Sequence, residues 1–210
     1  MKYDLYVVTD EDLSNGHSHA EIAHLATIGG ADVIQLRDKK MSSADLFAVA
    51  LQIRDITKGK ALFIVNDRVD IALASKADGV HLGQNDLPVK AVRRIVPDDF
   101  IIGISISSVD EALKGARDGA NYVAVSPVFS TGSKQDAGLG LGVSCITAVR
   151  KAVPANIPVV GIGGLNSENI LEVISAGLDG VCVISAVVSA PDITKAARDL
   201  REKIRRAKNE

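Results

Sequence analysis

The amino-acid sequence predicts an α/β fold of the (β/α)8 TIM-barrel type, with a single domain over residues 1–210. Short apolar segments alternate with helix-like segments along the whole chain, which is the pattern of a parallel sheet covered by helices. Eight such units fit into the chain, and eight units close a barrel. The apolar segments are apolar throughout, as expected for strands buried on both faces. A doubly wound open sheet is the alternative, but no GxGxxG sequence follows the first strand, which argues against its dinucleotide-binding version.

The individual elements follow from the apolar runs and from the residues between them. Strands are predicted at residues 3–9, 32–37, 61–65, 78–82, 100–105, 121–125, 157–161 and 180–184. Helices are predicted at residues 17–28, 43–58, 67–75, 87–96, 108–118, 143–153, 166–177 and 192–208. Residues that typically begin or end helices are Gly29 and Gly30 after the first, Ser42 or Ser43 before the second, Pro88 in the first turn of the fourth, Ser108 with Glu111 as a capping box for the fifth, and Asn166 before the seventh.

Several of the repeats share a short pattern. It reads GGADVIQL, KADGVHL, DGANYVAV and AGLDGVCV, in which a glycine helix C-cap and an acid or amide are expected just before an apolar strand. The recurrence supports a chain built from similar strand–helix units.

The composition excludes several functional classes. Hydrophobic residues make up 47% of the chain and charged residues 24%, which is typical of a globular protein with a sizeable core. The net charge is −2 and aromatic residues are only 3%, so nucleic-acid binding has neither a basic field nor a stacking surface. No signal peptide and no apolar run of about 20 residues is present, so we predict a cytoplasmic protein without membrane contact. Cys145 and Cys182 lie far apart in the sequence, which predicts two reduced, buried thiols.

Polar and small residues collect where the predicted strands end. In a TIM barrel the active site lies at the carboxyl ends of the strands. The residues at these ends are Gln35, Arg37 and Lys39 after the second strand, Asn66 and Asp67 after the third, Gln84 and Asp86 after the fourth, Ser105 in the fifth, Thr131, Ser133 and Lys134 after the sixth, residues 161–164 after the seventh, and Ile184, Ser185 and Ala186 after the eighth. We therefore expect one functional site at this end of the barrel.

Two acids at this end predict a magnesium site. Asp67 and Asp86 leave consecutive strands, and Mg²⁺ prefers oxygen ligands while keeping several waters. Arg37, Lys39 and Lys134 share the same rim, and cations beside paired carboxylates indicate a metal-bound diphosphate. Helix capping is the alternative explanation for Asp86, and for Asp67 or its neighbour Asn66.

Small residues after the last two strands predict a second anion site. The glycines at 163 and 164 leave backbone N–H groups accessible, and the seventh and eighth loops of such barrels often bind phosphate. Ordinary turn glycines are the alternative. His81, within the fourth strand, is interpreted as a structural histidine with satisfied hydrogen bonds. His17 and His19 are not interpreted as metal ligands.

Six segments together resemble the thiamine-phosphate synthase family. They are QLRDK at 35–39, NDRVDIAL at 66–73, DGVHLGQND at 78–86, GIS at 103–105, SPVFSTGSK at 126–134 and GIGG at 161–164, in the family's order over nearly the whole chain. The resemblance implies a TIM-barrel transferase that joins a hydroxymethylpyrimidine diphosphate to a thiazole phosphate. It also implies Mg²⁺ as the cofactor and thiamine phosphate and pyrophosphate as products.

The resemblance further implies roles for individual residues. The implied pyrimidine diphosphate ligands are Gln35, Leu36, Arg37, Asp38, Lys39, Asn66, Ser105 and Lys134. The implied thiazole phosphate ligands are Thr131, Gly132, Ser133, Gly164, Ile184 and Ser185, and the implied Mg²⁺ ligands are Asp67 and Asp86. The implied catalytic residues are Arg37, Lys39, Lys134 and Ser105. The cations among them would stabilise the departing pyrophosphate, and no general base is needed because the attacking thiazole nitrogen carries no proton.

The chain departs from the family pattern in two places. Ser133 stands where the family usually has a second threonine, and a histidine that is common near Ile106 and Ser107 is missing. Ser133 keeps a hydroxyl, so phosphate binding is still expected, whereas the surroundings of the fifth strand are less defined by the resemblance. The glycine-rich residues 135–142 are predicted to close as a lid.

Two other functions are considered. A thiazole tautomerase resembles the synthase in sequence, but it usually lacks the Asn66–Asp67 pair and carries a histidine near the position of Ser126. A non-catalytic sensor of phosphorylated ligands would need the anion site without the two acids. The sequence leaves the oligomeric state open, whether monomer or homo-oligomer.

Overall fold

The computed structural model describes residues 3–131 and 139–209. Within them the strands are β1 (Leu5–Val8), β2 (Val33–Leu36), β3 (Leu62–Asn66), β4 (Gly79–Leu82), β5 (Ile101–Ile106), β6 (Tyr122–Val125), β7 (Val159–Ile162) and β8 (Gly180–Val183). The helices are α1 (His19–Ile28), α2 (Ser43–Thr57), α3 (Val69–Ala74), α4 (Val89–Arg93), α5 (Val109–Asp118), α6 (Gly142–Ala152), α7 (Ile170–Ser175), α8 (Ser185–Val188) and α9 (Ile193–Asn209). The predicted alternation of strands and helices is confirmed.

The strands form a closed parallel barrel. Each strand pairs with the next one along the chain, and β1 pairs with β8 so that Leu5 lies opposite Val181. This closing pair shows that the open-sheet alternative is wrong. Closure brings the carboxyl ends of all the strands to one rim, where the polar residues of the sequence were expected to meet.

Apolar strand residues fill both sides of the barrel wall. Side chains of successive residues point alternately into the lumen and towards the surrounding helices, so a strand that is covered on both faces is apolar throughout. Val and Ile supply most of this wall. Inside the lumen the rings of Tyr6 and Tyr122 meet, with their centroids 6.1 Å apart.

Four polar clamps explain the pattern that precedes every second strand. The side-chain oxygens of Asp32, Asp78, Asn121 and Asp179 accept the backbone N–H groups of Leu5, Phe63, Ile102 and Val159 in the neighbouring strand, at 2.7–3.1 Å. An arginine from a surrounding helix reaches each of these side chains at 2.5–3.0 Å, namely Arg201, Arg54, Arg93 and Arg150. These strand clamps tie β1 to β2, β3 to β4, β5 to β6 and β7 to β8 at the amino end of the barrel. The described chain is thus built from four similar β–α–β–α units.

Helix starts differ from the prediction where a different residue provides the cap. Ser18 caps α1 through a capping box with Glu21, so the helix begins two residues later than predicted. Ser108 accepts the N–H of Glu111 as predicted, but the Glu111 carboxylate accepts from the N–H of Ser107. The second half of that predicted capping box is therefore wrong.

Two later helices also begin after the predicted residue. Asn166 was expected to cap α7, but its side chain accepts the N–H of Glu168 within a turn, and the helix begins at Ile170. Pro88 precedes α4 instead of lying in its first turn. The four-residue helix α8 was not predicted, because a single turn is too short to show helical periodicity.

No helix in residues 3–131 and 139–209 has both the length and the apolarity that a membrane crossing requires. The predicted cytoplasmic location remains a prediction. Cys145 and Cys182 form no disulfide bond; Cys182 is buried as expected, whereas Cys145 is only partly buried.

Candidate active site

A cavity of about 410 Å³ opens at the carboxyl ends of the strands. It brings together ten of the predicted site residues, which are Arg37, Lys39, Asn66, Asp67, Asp86, Ser105, Thr131, Gly164, Ile184 and Ser185. They come from loops around the whole barrel, because closure of the sheet makes every strand end a neighbour of this space. The expectation of a single site at this rim therefore agrees with the fold.

Three predicted ligands do not line this cavity. Leu36 is buried in the core, and Gln35 lies one layer deeper in the lumen, where its Nε2 donates to the hydroxyl of Tyr6 at 2.6 Å. The Asp38 carboxylate accepts from the backbone N–H groups of Lys40 and Met41. Three more predicted ligands, Gly132, Ser133 and Lys134, lie outside the described residues, as does the first half of the predicted lid, residues 135–138.

The two acids of the predicted metal site meet as a carboxyl pair. The pKa of Asp67 is raised to about 6. Burial is the largest cause, followed by a hydrogen bond with Asp86 and charge repulsion from it. Lys39 and Arg37 act in the opposite direction, and Lys39 Nζ lies 3.9 Å from Asp67 Oδ2. The Asp86 carboxylate is oriented by the N–H of Gly83, which donates to Oδ2 at 2.6 Å. A carboxyl group whose ionisation is disfavoured by burial and by a neighbouring acid, as that of Asp67 is, is a favourable place for a cation.

The backbone shows that neither acid is there to cap a helix. Arg68 occupies the N-cap position of α3 and Pro88 that of α4, and no side chain caps either helix. Asp67 has φ +61°, in the left-handed region, and its N–H extends the strand ladder to the carbonyl oxygen of His81 at 2.8 Å. A non-glycine residue held in this region is strained. The alternative of helix capping is wrong for Asn66, Asp67 and Asp86.

Arg37 and Asp38 are held by residues of the loop after β1. Arg37 Nη1 lies 3.7 Å from Asp10 Oδ2, and both side chains are largely buried. The buried His19 places Nδ1 2.7 Å from Thr9 Oγ1 and Nε2 3.2 Å from Asp38 Oδ2. His19 thus joins the loops after β1 and β2, and it orients the segment from which Arg37 and Lys39 enter the cavity.

Glycines form the opposite wall of the cavity for steric reasons. Gly163 and Gly164 have φ +103° and +64°, which favour glycine. A Cβ atom on Gly163 would lie 2.6 Å from Pro127 Cβ, and one on Gly164 would lie 2.8 Å from Phe129 Cβ. The backbone is therefore exposed to the cavity where the sequence predicted an anion site.

Sequence reasoning missed the role of two tyrosines and understated that of His81. His81 makes hydrogen bonds through both ring nitrogens, to Tyr122 and to Ser105, as expected of a structural histidine. It also lines the cavity. Tyr6 and Tyr122 continue these hydrogen bonds into the core. The sequence did contain a signal for the two tyrosines, because each is a polar aromatic residue in an otherwise apolar strand.

A closed barrel of eight parallel strands with polar residues around a cavity at its carboxyl end has the architecture of the TIM-barrel enzymes. The family model described as "Thiamine monophosphate synthase" matches residues 5–187, so the chain belongs to the thiamine monophosphate synthase family. Relatives named thiamine-phosphate synthase make it a transferase of this type. The resemblance stated from the sequence is confirmed.

Individual relatives match the chain over nearly its whole length. The thiamine-phosphate synthase of Methanoculleus marisnigri is 56% identical over 100% of this chain and 99% of its own. That of Methanocella arvoryzae is 55% identical over 96% and 94%. The structure of thiamine phosphate pyrophosphorylase from Pyrococcus furiosus superposes with a TM-score of 0.90 at 39% identity, over 98% of this chain and 96% of that one. A 3-hexulose-6-phosphate synthase shares the fold alone, with a TM-score of 0.70 at 16% identity.

Proposed function

We propose that the protein joins 4-amino-2-methyl-5-hydroxymethylpyrimidine diphosphate to a thiazole phosphate, forming thiamine phosphate and pyrophosphate as a step of thiamine biosynthesis. The observation that carries this proposal is the carboxyl pair of Asp67 and Asp86 beside Lys39 and Arg37 in one cavity. Acids and cations at one place suit a diphosphate bound through a metal ion, whereas a monophosphate alone would need only the cations.

The residues present fit Mg²⁺ as the cofactor. No group of three or more His, Cys, Asp or Glu that could hold a metal occurs in residues 3–131 and 139–209. Asp67 and Asp86 would therefore supply two ligands, and waters and diphosphate oxygens the others, which is the usual arrangement for Mg²⁺. When bound, the ion supplies positive charge that stabilises the leaving diphosphate.

The cations of the second loop would bind the diphosphate and stabilise its departure. The CH₂–O bond of the pyrimidine substrate breaks, and its electron pair goes to the diphosphate oxygen. Arg37 and Lys39, which line the cavity, would neutralise this developing charge. The thiazole nitrogen then forms the new C–N bond with its lone pair and releases no proton. Catalysis therefore depends on positioning and electrostatics.

The glycine wall would hold the thiazole phosphate. Gly163 and Gly164 present main chain to the cavity, and Thr131, Ile184 and Ser185 line the same region. On this proposal the two anionic substrates would bind to facing walls of the cavity, and the methylene carbon and the thiazole nitrogen would meet between them. The geometry favours a reaction between two bound substrates over simple sensing of one.

A product assay tests the proposal against its rivals. Purified protein with Mg²⁺, the pyrimidine diphosphate and the thiazole phosphate is expected to form thiamine phosphate and pyrophosphate in equal amounts. A thiazole tautomer conversion without condensation would transfer the function to the tautomerase. Tight thiazole phosphate binding with neither reaction would support the sensor.

A further inference from the structure

A chain of hydrogen bonds runs through the barrel core to the cavity. Gln35 Nε2 donates to Tyr6 Oη at 2.6 Å, and the hydroxyl oxygens of Tyr6 and Tyr122 are 2.9 Å apart. Tyr122 Oη lies 2.8 Å from His81 Nδ1, and His81 Nε2 lies 2.9 Å from Ser105 Oγ. The first four members are buried, and only Ser105 is partly exposed. We call these five residues the lumen chain.

The donor and acceptor capacities of the five groups favour one direction for the hydrogen bonds of the lumen chain, with each hydrogen directed towards the cavity. The Gln35 amide nitrogen only donates, so the Tyr6 oxygen accepts from it and the Tyr6 hydroxyl donates to Tyr122. Tyr122 then donates to His81 Nδ1, which leaves the ring hydrogen on Nε2, facing Ser105. Burial raises the pKa of both tyrosines well above 10, so each keeps its hydroxyl hydrogen. Reversing one link alone would bury an unpaired hydroxyl hydrogen, which is costly.

The barrel wall fixes Tyr122 in this arrangement. A Cβ atom on Gly103 would lie 2.0 Å from Cζ of Tyr122 and 2.3 Å from its hydroxyl oxygen. Glycine at this position of β5 therefore makes the space that the phenol occupies. On its other side the ring stacks on His81 with centroids 5.6 Å apart. The hydroxyl is held between Tyr6 and His81.

We propose that the lumen chain makes the Ser105 hydroxyl a hydrogen-bond donor to an acceptor atom of the pyrimidine substrate, with His81 and Tyr122 as positioning residues that act through Ser105. This inference rests on the proposed function. Ser105 Oγ accepts from His81, so its own hydrogen is directed into the cavity. Gln84 Nε2 donates to the Ser105 carbonyl oxygen at 2.6 Å and holds the strand end in place. A histidine that donates to serine does not act as its base, which agrees with a reaction that needs no serine nucleophile.

Two tyrosine variants distinguish an effect of hydrogen-bond direction in the lumen chain from an effect of side-chain packing. Tyr122→Phe removes the donor to His81 Nδ1, so Ser105 can donate to the ring instead of to the substrate. We expect kcat/KM for the pyrimidine diphosphate to fall roughly tenfold or more, with KM for the thiazole phosphate within about twofold of wild type. Tyr6→Phe removes an equally buried hydroxyl but leaves Tyr122 to donate to His81, and we expect a loss below about threefold. Tyr3→Phe, in a ring that packs 5.1 Å from Tyr122 outside the lumen chain, is the packing control.

A double-mutant cycle tests whether Tyr122 acts through Ser105. In a Ser105→Ala background, Tyr122→Phe should cause no further loss of kcat/KM, because the hydroxyl that it orients is absent. Losses that multiply, or equal losses from Tyr6→Phe and Tyr122→Phe, would overturn the proposal in favour of a merely structural role.

The histidine tautomer gives a readout that needs no substrate. Nitrogen NMR of the full chain with ¹⁵N-labelled histidine, with His81 assigned by a His81→Gln variant, is expected to show the ring hydrogen of His81 on Nε2 and Nδ1 as an acceptor. The population with hydrogen on Nδ1 should rise in Tyr122→Phe and stay low in Tyr6→Phe. Hydrogen on Nδ1 in the wild type would refute the lumen chain even if the synthase assay succeeds. The expected tautomer with no synthase activity would instead refute the proposed function.

Discussion

Asp67 combines a strained backbone with a carboxyl group whose negative charge is unfavourable where it lies, and a bound cation would stabilise that charge. Its backbone lies in the left-handed region, and its carboxyl group is partly buried against Asp86. The pKa of about 6 lies above the ordinary value of about 3.9 for an unfolded chain, so the folded protein binds this proton more tightly. The stability that the proton provides is full below about pH 4 and is lost as the pH rises through about 6. A residue selected for stability alone would not be an aspartate here.

The substitution Asp67→Asn should therefore raise stability and abolish activity together. Asparagine tolerates the left-handed backbone and carries no charge to repel Asp86. We expect the metal-free variant to be more stable than wild type by about 1–2 kcal/mol at pH 8, with the difference shrinking as the pH falls from about 6 to about 4. Condensation should fall by at least about 100-fold. Urea unfolding in EDTA at several pH values, beside the product assay, measures both, and a variant that is less stable at pH 8 contradicts the account.

Gly164 illustrates a different constraint, because its side of the cavity has no room for a side chain. Gly164→Ala should cost about 1 kcal/mol for the left-handed backbone and about another 1–2 for the contact with Phe129. The matched control is Gly59→Ala, which has a similar φ of +71° and open space around its Cβ position. Chemical denaturation should show the larger loss at Gly164. KM for the thiazole phosphate should rise in Gly164→Ala and not in Gly59→Ala. Equal KM values in the two variants would show that Gly164 does not contribute to phosphate binding.

At the level of elements, the strand clamps and the functional rim lie at opposite ends of the barrel. Asp78 accepts the N–H of Phe63 at 2.7 Å and pairs with Arg54 at 2.8 Å, beneath the strands that carry Asn66 and His81. The third clamp uses Asn121 in place of an aspartate, so a neutral acceptor suffices for the backbone hydrogen bond. The clamps thus fix strand pairing without entering the site.

Clamp variants should accordingly change stability and leave catalysis intact. Asp78→Ala leaves the backbone N–H of Phe63 without its acceptor and removes the partner of Arg54. We therefore expect the free energy of unfolding to fall by about 1–3 kcal/mol. Asp78→Asn reproduces the third clamp and should cost less than about 1 kcal/mol. Thermal unfolding ranks the variants, and kcat of the folded protein should be unchanged in both. A loss from Asp78→Asn as large as from Asp78→Ala would show that charge, not the acceptor, holds the clamp.

For the whole molecule, closure of the barrel explains which features the sequence predicted. Asn66, Asp86 and Ser105 are far apart in the chain, yet parallel closure requires their strand ends to meet, so composition at the strand ends was sufficient to expect a common site. The contact between Tyr6 and Tyr122 joins residues 116 apart through the lumen, and no local pattern specifies it. Likewise, the sequence around Asp67 does not indicate its left-handed backbone, which depends on the pairing of β3 with β4.

The proposed site has carboxylates for Mg²⁺ and cations for the diphosphate, and this arrangement predicts how the stability of the whole protein responds to the two ligands. Two carboxylates form an incomplete Mg²⁺ site, and the cations alone form an incomplete diphosphate site, so each ligand should complete the site of the other. We expect Mg²⁺ alone and pyrophosphate alone to raise Tm slightly, and both together to raise it by more than the sum, because only the complex binds the folded state tightly. Asp86→Asn should remove this synergy while keeping the small effect of pyrophosphate. Differential scanning calorimetry with Mg²⁺, pyrophosphate and both measures it; a full Tm increase from Mg²⁺ alone would mean that protein groups complete the metal site without the diphosphate.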